Sequence, residues 1–194
     1  MRSLKACFFS WGAMLFLLPI CVGCTPGKNI DSIKAENYSK VPKSILVLYP
    51  PIPDVLRLDG FDQVFQKFAN QCNIDFHSDY DKQKIKITAV GDGMISSIKP
   101  DWILQIAPNG NQQTTVTLNG SPISNPHVTG YIYNFTLIDS VEKKEVWRAD
   151  IAVSLHRELF TDWMRDNNAF GQDTAMATIN AMRTVGLLTS CPEP

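Results

Sequence analysis

Residues 131–155, YIYNFTLIDSVEKKEVWRADIAVSL, carry the strongest strand signal in the chain. Apolar side chains alternate with smaller or polar ones through residues 131–137, and the alternation returns from residue 146 to residue 155. Between these runs, residues 139–145 (DSVEKKE) are polar and suit a hairpin loop. The stretch therefore predicts two antiparallel neighbouring strands whose charged loop lies in water.

Weaker patterns on either side of this hairpin predict a mixture of strands and helices. One helical face is marked by apolar residues at a spacing of three and four: Phe61, Val64, Phe65, Phe68, Ala69 and Cys72. A last helix is expected to begin near Asp173. Short strands are expected at 44–49, around Ile74 and Phe76, and at 84–89, 102–107 and 114–118. Loops or turns are expected at 50–59, 91–93, 108–113 and 119–126, with a helical turn at 94–98. This order predicts an α+β fold, an α/β sandwich with helices packed on a central mixed sheet.

The first 23 residues have the features of a signal peptide. Arg2 and Lys5 precede an apolar run, and no charged residue lies between Lys5 and Lys28. The run from Phe8 to Gly23 is shorter than the roughly 20 apolar residues that a membrane-spanning helix needs. A cleaved leader is favoured over a membrane span.

The end of this leader resembles the lipobox of bacterial lipoproteins. The small pair Val22-Gly23 precedes Cys24, while Cys21 stands where the family pattern favours Leu. The resemblance implies cleavage before Cys24, a diacylglycerol thioether on its sulfur, and, because Thr25 rather than Asp follows, sorting to the outer membrane. An unlipidated secreted protein is the closest alternative.

This leader divides the chain into three parts. We expect a lipoprotein signal peptide at 1–23, a lipidated cysteine with a flexible polar tether at 24–43, and one globular domain at 44–194. The chain has 18 basic and 19 acidic residues, and removal of Arg2 and Lys5 leaves 16 against 19, a net charge of −3 with His neutral. Such a balance argues against a nucleic-acid partner.

Three cysteines remain after the leader. If Cys24 carries lipid, Cys72 and Cys191 are left as an even pair in an oxidising compartment, which predicts a disulfide between them. The alternative is a pair of buried free thiols.

Three segments between residues 40 and 155 resemble small bacterial envelope lipoproteins. They are 41–51 (VPKSILVLYPP), 99–104 (KPDWIL), and 137–140 (LIDS) followed by 145–149 (EVWRA). The fold is similar to that of the amino-terminal domain of the Tol-Pal translocation protein and of the curli secretion lipoprotein. The resemblance implies an envelope location and a fold, and it implies no activity.

Residues with metal or catalytic chemistry are few. His77 lies in residues 75–81 (DFHSDYD), whose spacing matches no established metal loop, so a solvated acidic loop is favoured. His127 and His156 have no nucleophile and base in a recognisable pattern beside them, and the Gly-x-Ser-x-Gly, His-Glu-x-x-His and phosphate-loop motifs are missing from the sequence. We therefore expect no metal, no cofactor and no catalytic residue.

These patterns predict a lipid-anchored cell-envelope protein that is not an enzyme and faces the periplasm from the outer membrane. It would bind another envelope protein as an assembly or regulatory factor. One alternative is a cell-wall-modifying or other envelope hydrolase with dispersed active residues, whose site would contain His77, His127 or His156. Another is a small-ligand carrier with a closed apolar cavity lined by tryptophans, although alternating aromatic residues in strands usually belong to a core.

Overall fold

The computed structural model describes residues 27–50, 58–80, 90–115, 117–122, 124–154, 167–188 and 191. Its strands are β1 (Gly27–Lys34), β2 (Ser44–Leu48), β3 (Asp75–Ser78), β4 (Trp102–Thr114), β5 (Thr117–Leu118), β6 (Ser121–Pro122), β7 (His127–Asp139) and β8 (Lys144–Ser154). Its helices are α1 (Phe61–Gln71), α2 (Val90–Ile98) and α3 (Asn167–Thr184).

Six of the described strands form one mixed sheet in the order β1-β8-β7-β4-β2-β3. In this order, the neighbours β1, β8, β7 and β4 pair antiparallel. Strand β2 is parallel to both of its neighbours, β4 and β3. Strands β5 and β6 make a separate two-stranded ribbon. The prediction of an α+β fold with helices packed on a central mixed sheet is confirmed.

The β7–β8 hairpin forms the middle of this sheet, as residues 131–155 predict. Phe135 pairs with Ala149 and Leu137 with Trp147, and all four side chains are buried. Residues 140–143 make the turn between the strands. Alternation fixes this register because a shift by one residue would turn every buried side chain to the opposite face.

The strand order predicts that α1 and α2 lie on opposite faces of the sheet. Strand β2 leads through α1 to β3 on one side, and β3 returns through α2 to β4 on the other side of β2. Right-handed crossovers in opposite directions place their helices on opposite faces. Accordingly Leu46 and Ile103 are buried although they point away from the α1 face.

The main core lies between the sheet, α1 and α3, which pack against each other. Helix α1 begins after Gly60, whose φ of 86° favours glycine, and it buries Phe61, Phe65 and Phe68 as the spacing predicts. Beyond α2, the opposite face of the sheet becomes polar, where Asn134 donates to Asp150 over 2.9 Å.

The predicted flexible tether at 24–43 is wrong over Gly27–Lys34, because these residues form β1 and pair antiparallel with β8. An edge strand has one neighbour and one open side, so its sequence can stay polar and lacks the apolar signal of a central strand. Ser32 nevertheless faces the core side, where its hydroxyl accepts a hydrogen bond from Trp147 Nε1 over 2.8 Å.

Two predicted turns are also wrong. Residues 108–113 continue β4, and register shifts after Pro108 and after Gln112 accommodate the residues that predicted a turn. Residues 91–93 lie inside α2, although each glycine costs a helix roughly 1 kcal/mol. The predicted strand at 84–89 and most of the 50–59 loop lie outside the described residues, and α3 begins six residues before Asp173.

Candidate functional site

A groove opens between α1 and α3 on the outer side of the helical layer. We call it the helix groove; its volume is about 350 Å³. Its described lining residues make an apolar floor and an amide-rich rim, and Lys67 is the one charged side chain among them: Gln63, Val64, Lys67, Phe68, Gln71, Gln172, Met176 and Ile179. This volume lies at the lower end of the range for ligand pockets.

The groove exists because the apolar stripe of α1 is wider than the sheet can cover. Phe61 and Phe65 point into the core, whereas Val64 lies a turn away on the side that meets α3 and stays half-buried. Arg183 of α3 extends its guanidinium over the Phe68 ring, 5.1 Å from the ring centroid. The sequence prediction assigned Val64 and Phe68 to a single core face and missed that they also border a surface groove.

One end of the helix groove is held by a covalent bond. The structure joins Cys72, which directly follows α1, to Cys191, which follows α3, and the two Cα atoms lie 4.9 Å apart. The bridge limits how far the two helices can separate at this end. The apolar floor of the groove can hold apolar side chains, and the glutamine amides of its rim offer both donors and acceptors.

A second cluster of polar side chains lies where the parallel strands β2 and β3 end. We call it the carboxyl-edge cluster: Tyr49, Asp59, Asp62, Ser78, Asp79 and Tyr80. The carboxyl ends of parallel strands are a common position for ligands. Here, however, each carboxylate already accepts a hydrogen bond from within the cluster.

The hydrogen bonds of the carboxyl-edge cluster connect β2, β3 and α1. Asp62 accepts from the hydroxyls of Tyr49 and Ser78, and Asp59 accepts from Tyr80 over 2.7 Å. The backbone N–H of Tyr49 donates to buried Asp79 over 2.8 Å. Burial and the neighbouring Asp62 charge raise the pKa of Tyr49 well above its ordinary value, so this hydroxyl remains a donor. The geometry is that of a structural network.

A third cluster lies at the turn of the β7–β8 hairpin. Buried Asp139 accepts from the backbone N–H groups of Val141 and Glu142 through one oxygen, and from Tyr38 and Lys40 through the other, all at 2.9 to 3.0 Å. Desolvation opposes ionisation of Asp139, but these donors outweigh it and lower its pKa. Burial raises the pKa of Tyr38 to about 12, although the hydrogen bond from Trp102 acts in the opposite direction.

The structure does not bring the histidines together. His77 lies level with Leu46 and therefore with Ile103, while His127 pairs with Thr114. Eleven residues of β4 separate these levels, which corresponds to about 36 Å. His156 and Cys24 lie outside the described residues. Within the described residues there is no group of three or more His, Cys, Asp or Glu side chains arranged to hold a metal ion.

The tryptophans of the described strands belong to the core. Trp102 and Trp147 are each 1% exposed, and their ring N–H groups donate to Tyr38 and Ser32. They fill the space beneath the helices and do not border the helix groove. Trp163, the third candidate for a cavity lining, lies outside the described residues.

A search of the described part of the chain finds no helix with the length and hydropathy needed to cross a bilayer. No model of a known protein family matches the chain, and no curated protein matches it in sequence. The resemblance to the Tol-Pal and curli proteins therefore stays a prediction.

Solved structures with a similar arrangement are distant in sequence. PelC from Paraburkholderia phytofirmans, solved as a dodecamer, is 15% identical, with 80% of this chain and 95% of PelC covered at a TM-score of 0.43. Lipoprotein GNA1162 from Neisseria meningitidis is 16% identical, with coverages of 74% and 99% and a TM-score of 0.41. A homolog of a neuraminyllactose-binding hemagglutinin from Helicobacter pylori is 12% identical, with coverages of 79% and 90% and a TM-score of 0.31. We take the functional inference from the residues of the chain itself.

Proposed function

We propose that the protein is a lipid-anchored cell-envelope protein that binds another envelope component and catalyses no reaction. The observation that carries this proposal is the sequence Val22-Gly23-Cys24 at the end of an apolar leader. Two or three acyl chains on Cys24 give a lasting anchor where a single chain does not. Thr25 directs the anchored protein to the outer membrane, with its folded domain in the periplasm.

The helix groove is the binding surface that we assign to this function. Its floor accepts apolar side chains, and the Gln71 amide offers a peptide backbone both donors and an acceptor, while Gln172 Nε2 donates to Gln63 over 3.5 Å elsewhere on the rim. Lys67 is the only charged side chain among the described lining residues and favours a neutral or acidic segment. These features suit an amphipathic segment of an envelope protein that buries two or three apolar side chains.

Photo-crosslinking in intact cells tests this assignment with a matched pair of positions on α1. A photoreactive amino acid replaces Lys67, which lines the helix groove, or Gln66, which is also exposed and is not a lining residue. We expect a discrete protein adduct from position 67 alone, and we expect Met176→Glu to abolish it because a carboxylate then occupies the groove floor. Identical adducts from positions 66 and 67, or an adduct that survives Met176→Glu, would contradict the assignment.

The anchor is tested separately by the intact mass of the mature protein extracted from membranes. The expected mass is that of a chain beginning at Cys24, plus its acyl groups, and lower by two hydrogens for the disulfide. A chain that retains residues 1–23, or that begins at residue 24 without acyl groups, contradicts the proposed function.

A further inference from the structure

The first described strand begins only three residues after the proposed lipidation site. β1 starts at Gly27, and the steps from Cys24 to Gly27 span at most about 10 Å. The predicted tether would have let the domain stand well away from the bilayer, but β1 belongs to the sheet. The Gly27 end of the sheet is therefore held close to the lipid surface.

The strand register identifies which other parts of the sheet lie at this end. Gly27 pairs with Val153, which pairs with Tyr131, which pairs with Asn111. Strands β4 and β7 continue past this level to the pair Thr114 and His127, and the β5–β6 ribbon follows. Three further residues of β4 extend about 10 Å, the same length as the connection to Cys24. We call residues 111–131, as far as the structure describes them, the distal arm.

The distal arm and the hairpin turn at the opposite end of the sheet differ in charge. No Asp, Glu, Lys or Arg occurs from residue 102 to residue 138, in a chain of which 19% is charged, so the distal arm has none. The opposite end is the β7–β8 turn, where charged side chains are crowded: Lys40, Asp139, Glu142, Lys143, Lys144 and Glu145. The anchor thus attaches at the end that bears the uncharged distal arm, where Lys28 follows Gly27 and the carboxyl-edge cluster lies at the ends of β2 and β3.

We infer that the distal arm lies against the headgroup layer of the phospholipid bilayer that holds the anchor, an inference that rests on the lipidation of Cys24 in the proposed function. Neutral side chains such as Asn111, Gln113 and Ser121 form hydrogen bonds with headgroups without the desolvation that a charge would require. The sheet then stands on the bilayer with its strands rising from it. The charged hairpin turn lies at the far end of β7, whose 13 residues span about 40 Å.

Fluorescence quenching in vesicles tests this orientation on the mature lipidated protein, which begins at Cys24. With Cys24 acylated and Cys72 bonded to Cys191, an added cysteine is the only free thiol, so Ser121→Cys and Val141→Cys each carry one fluorophore. Both positions are exposed, one on the distal arm and one at the hairpin turn. In phosphatidylcholine vesicles that contain a headgroup-linked nitroxide, we expect quenching at position 121 to be several-fold greater than at position 141.

A linker variant isolates the contribution of the short connection. Twelve Gly and Ser residues inserted between Pro26 and Gly27 add a flexible span of about 20 Å and leave every described strand unchanged. We expect quenching at position 121 to fall toward the value at position 141. Undiminished quenching in this variant would show that the connection does not hold the arm at the bilayer and would overturn that part of the inference.

The outcomes separate this inference from the proposed function. Intact mass is measured on the same samples, and missing acyl groups contradict the proposed function together with the inference that rests on it. Acylated protein with equal quenching at positions 121 and 141, or with stronger quenching at 141, overturns the orientation and leaves the anchor intact.

Discussion

Asp139 shows how one carboxylate can hold three parts of the chain together. It closes the turn after β7 through the N–H groups of Val141 and Glu142, and it fixes the segment after β1 through Tyr38 and Lys40. Tyr38 in turn accepts from Trp102 at the start of β4. The Leu-x-Asp pattern before the hairpin turn and the Asp-Trp pattern before β4 therefore have a structural explanation.

Asp139→Asn should destabilise the protein at neutral pH and flatten its response to acid. The folded state lowers the pKa of Asp139, so its stabilisation is complete above about pH 4, the unfolded value, and is lost as the pH falls through the lower folded value. We expect a loss of about 1 to 3 kcal/mol at pH 7, since hydrogen bonds to a charged group are broken. Urea unfolding of both proteins at pH 7, 5 and 3 measures the free energy of unfolding. The difference in this free energy between the variant and the unsubstituted protein should shrink at pH 3.

The control for this prediction is Glu142→Gln, which removes the other partner of Lys40. Glu142 is exposed, so the loss should remain below about 1 kcal/mol at every pH. An equal effect of the two substitutions would mean that Asp139 is not the centre of this cluster.

Gly171 marks a close approach between α3 and the turn before α1. A Cβ atom at this position would lie 1.9 Å from the carbonyl oxygen of Asp59, and backbone atoms cannot move aside as a flexible side chain can. Gly171→Ala should therefore destabilise the protein by about 1 to 3 kcal/mol through overpacking, despite the better helix propensity of alanine.

Gly93→Ala is the matched comparison because Gly93 also lies in a helix and a Cβ there meets nothing within 4 Å. This substitution should be neutral or stabilising by up to about 1 kcal/mol. Thermal unfolding of both variants decides the matter, and equal shifts would show that α3 does not pack on the 58–59 backbone.

At the scale of elements, β1 is the feature that local sequence conceals. Its eight residues have no strict alternation of apolar and polar side chains, and Ile33 is 64% exposed. Its partner makes it a strand. The backbone of β1 pairs with that of β8, and the ring N–H of Trp147 donates to the hydroxyl of Ser32.

Removal of β1 distinguishes a strand from a tether. The free energy of unfolding of a chain that begins at residue 35 should be lower by about 3 kcal/mol or more than that of a chain that begins at residue 27. The reason is that Trp147 and the edge of β8 become exposed to solvent. Equilibrium unfolding of the two purified domains provides the measurement. Equal stability would mean that residues 27–34 do not belong to the sheet.

The disulfide should contribute more to stability than any single noncovalent contact. It links residues 119 positions apart, for which the chain-entropy model gives about 4 to 5 kcal/mol. Cys72→Ser combined with Cys191→Ser should lower the free energy of unfolding by about 2 to 5 kcal/mol, measured by guanidinium denaturation.

A reducing agent provides the internal control for the bridge. It should shift the denaturation midpoint of the unsubstituted protein toward that of the double variant and leave the double variant unchanged. If Cys72 and Cys191 were both alkylated in the native, unreduced protein, the bridge would be absent.

For the whole molecule, the sequence predicts an element correctly where its buried side chains recur at a regular spacing. Residues 131–139, 144–154 and 44–48 are strands with buried side chains on regular spacings, and α1 has a defined apolar face, so periodicity is sufficient. It fails for β1, for the continuation of β4 through 108–113 and for the helix groove. Each of these depends on a partner element far away in the chain, and a local window contains no information about that partner.

The last prediction follows from the difference in charge between the distal arm and the hairpin turn. Because the distal arm has no acidic or basic residue, its contact with a bilayer should not depend on ionic strength or on the anionic lipid content. Raising the salt from about 0.01 M to about 1 M shortens the Debye length from about 30 Å to about 3 Å, which would weaken any contact made by exposed charges. Quenching of the label at position 121 should stay constant over this range. The measurement is made at pH 8, where an ordinary histidine is neutral, because the distal arm contains His127.

Gln113→Lys tests the same reasoning in reverse, since it places one cation on an exposed position of the arm. On vesicles that contain phosphatidylserine, this variant should show stronger quenching at low salt, and the increase should disappear at high salt. A salt-dependent signal already present with Gln113 would mean that charged residues, such as Lys28 beside the anchor, contribute to the contact, and it would contradict a contact made by the neutral arm alone.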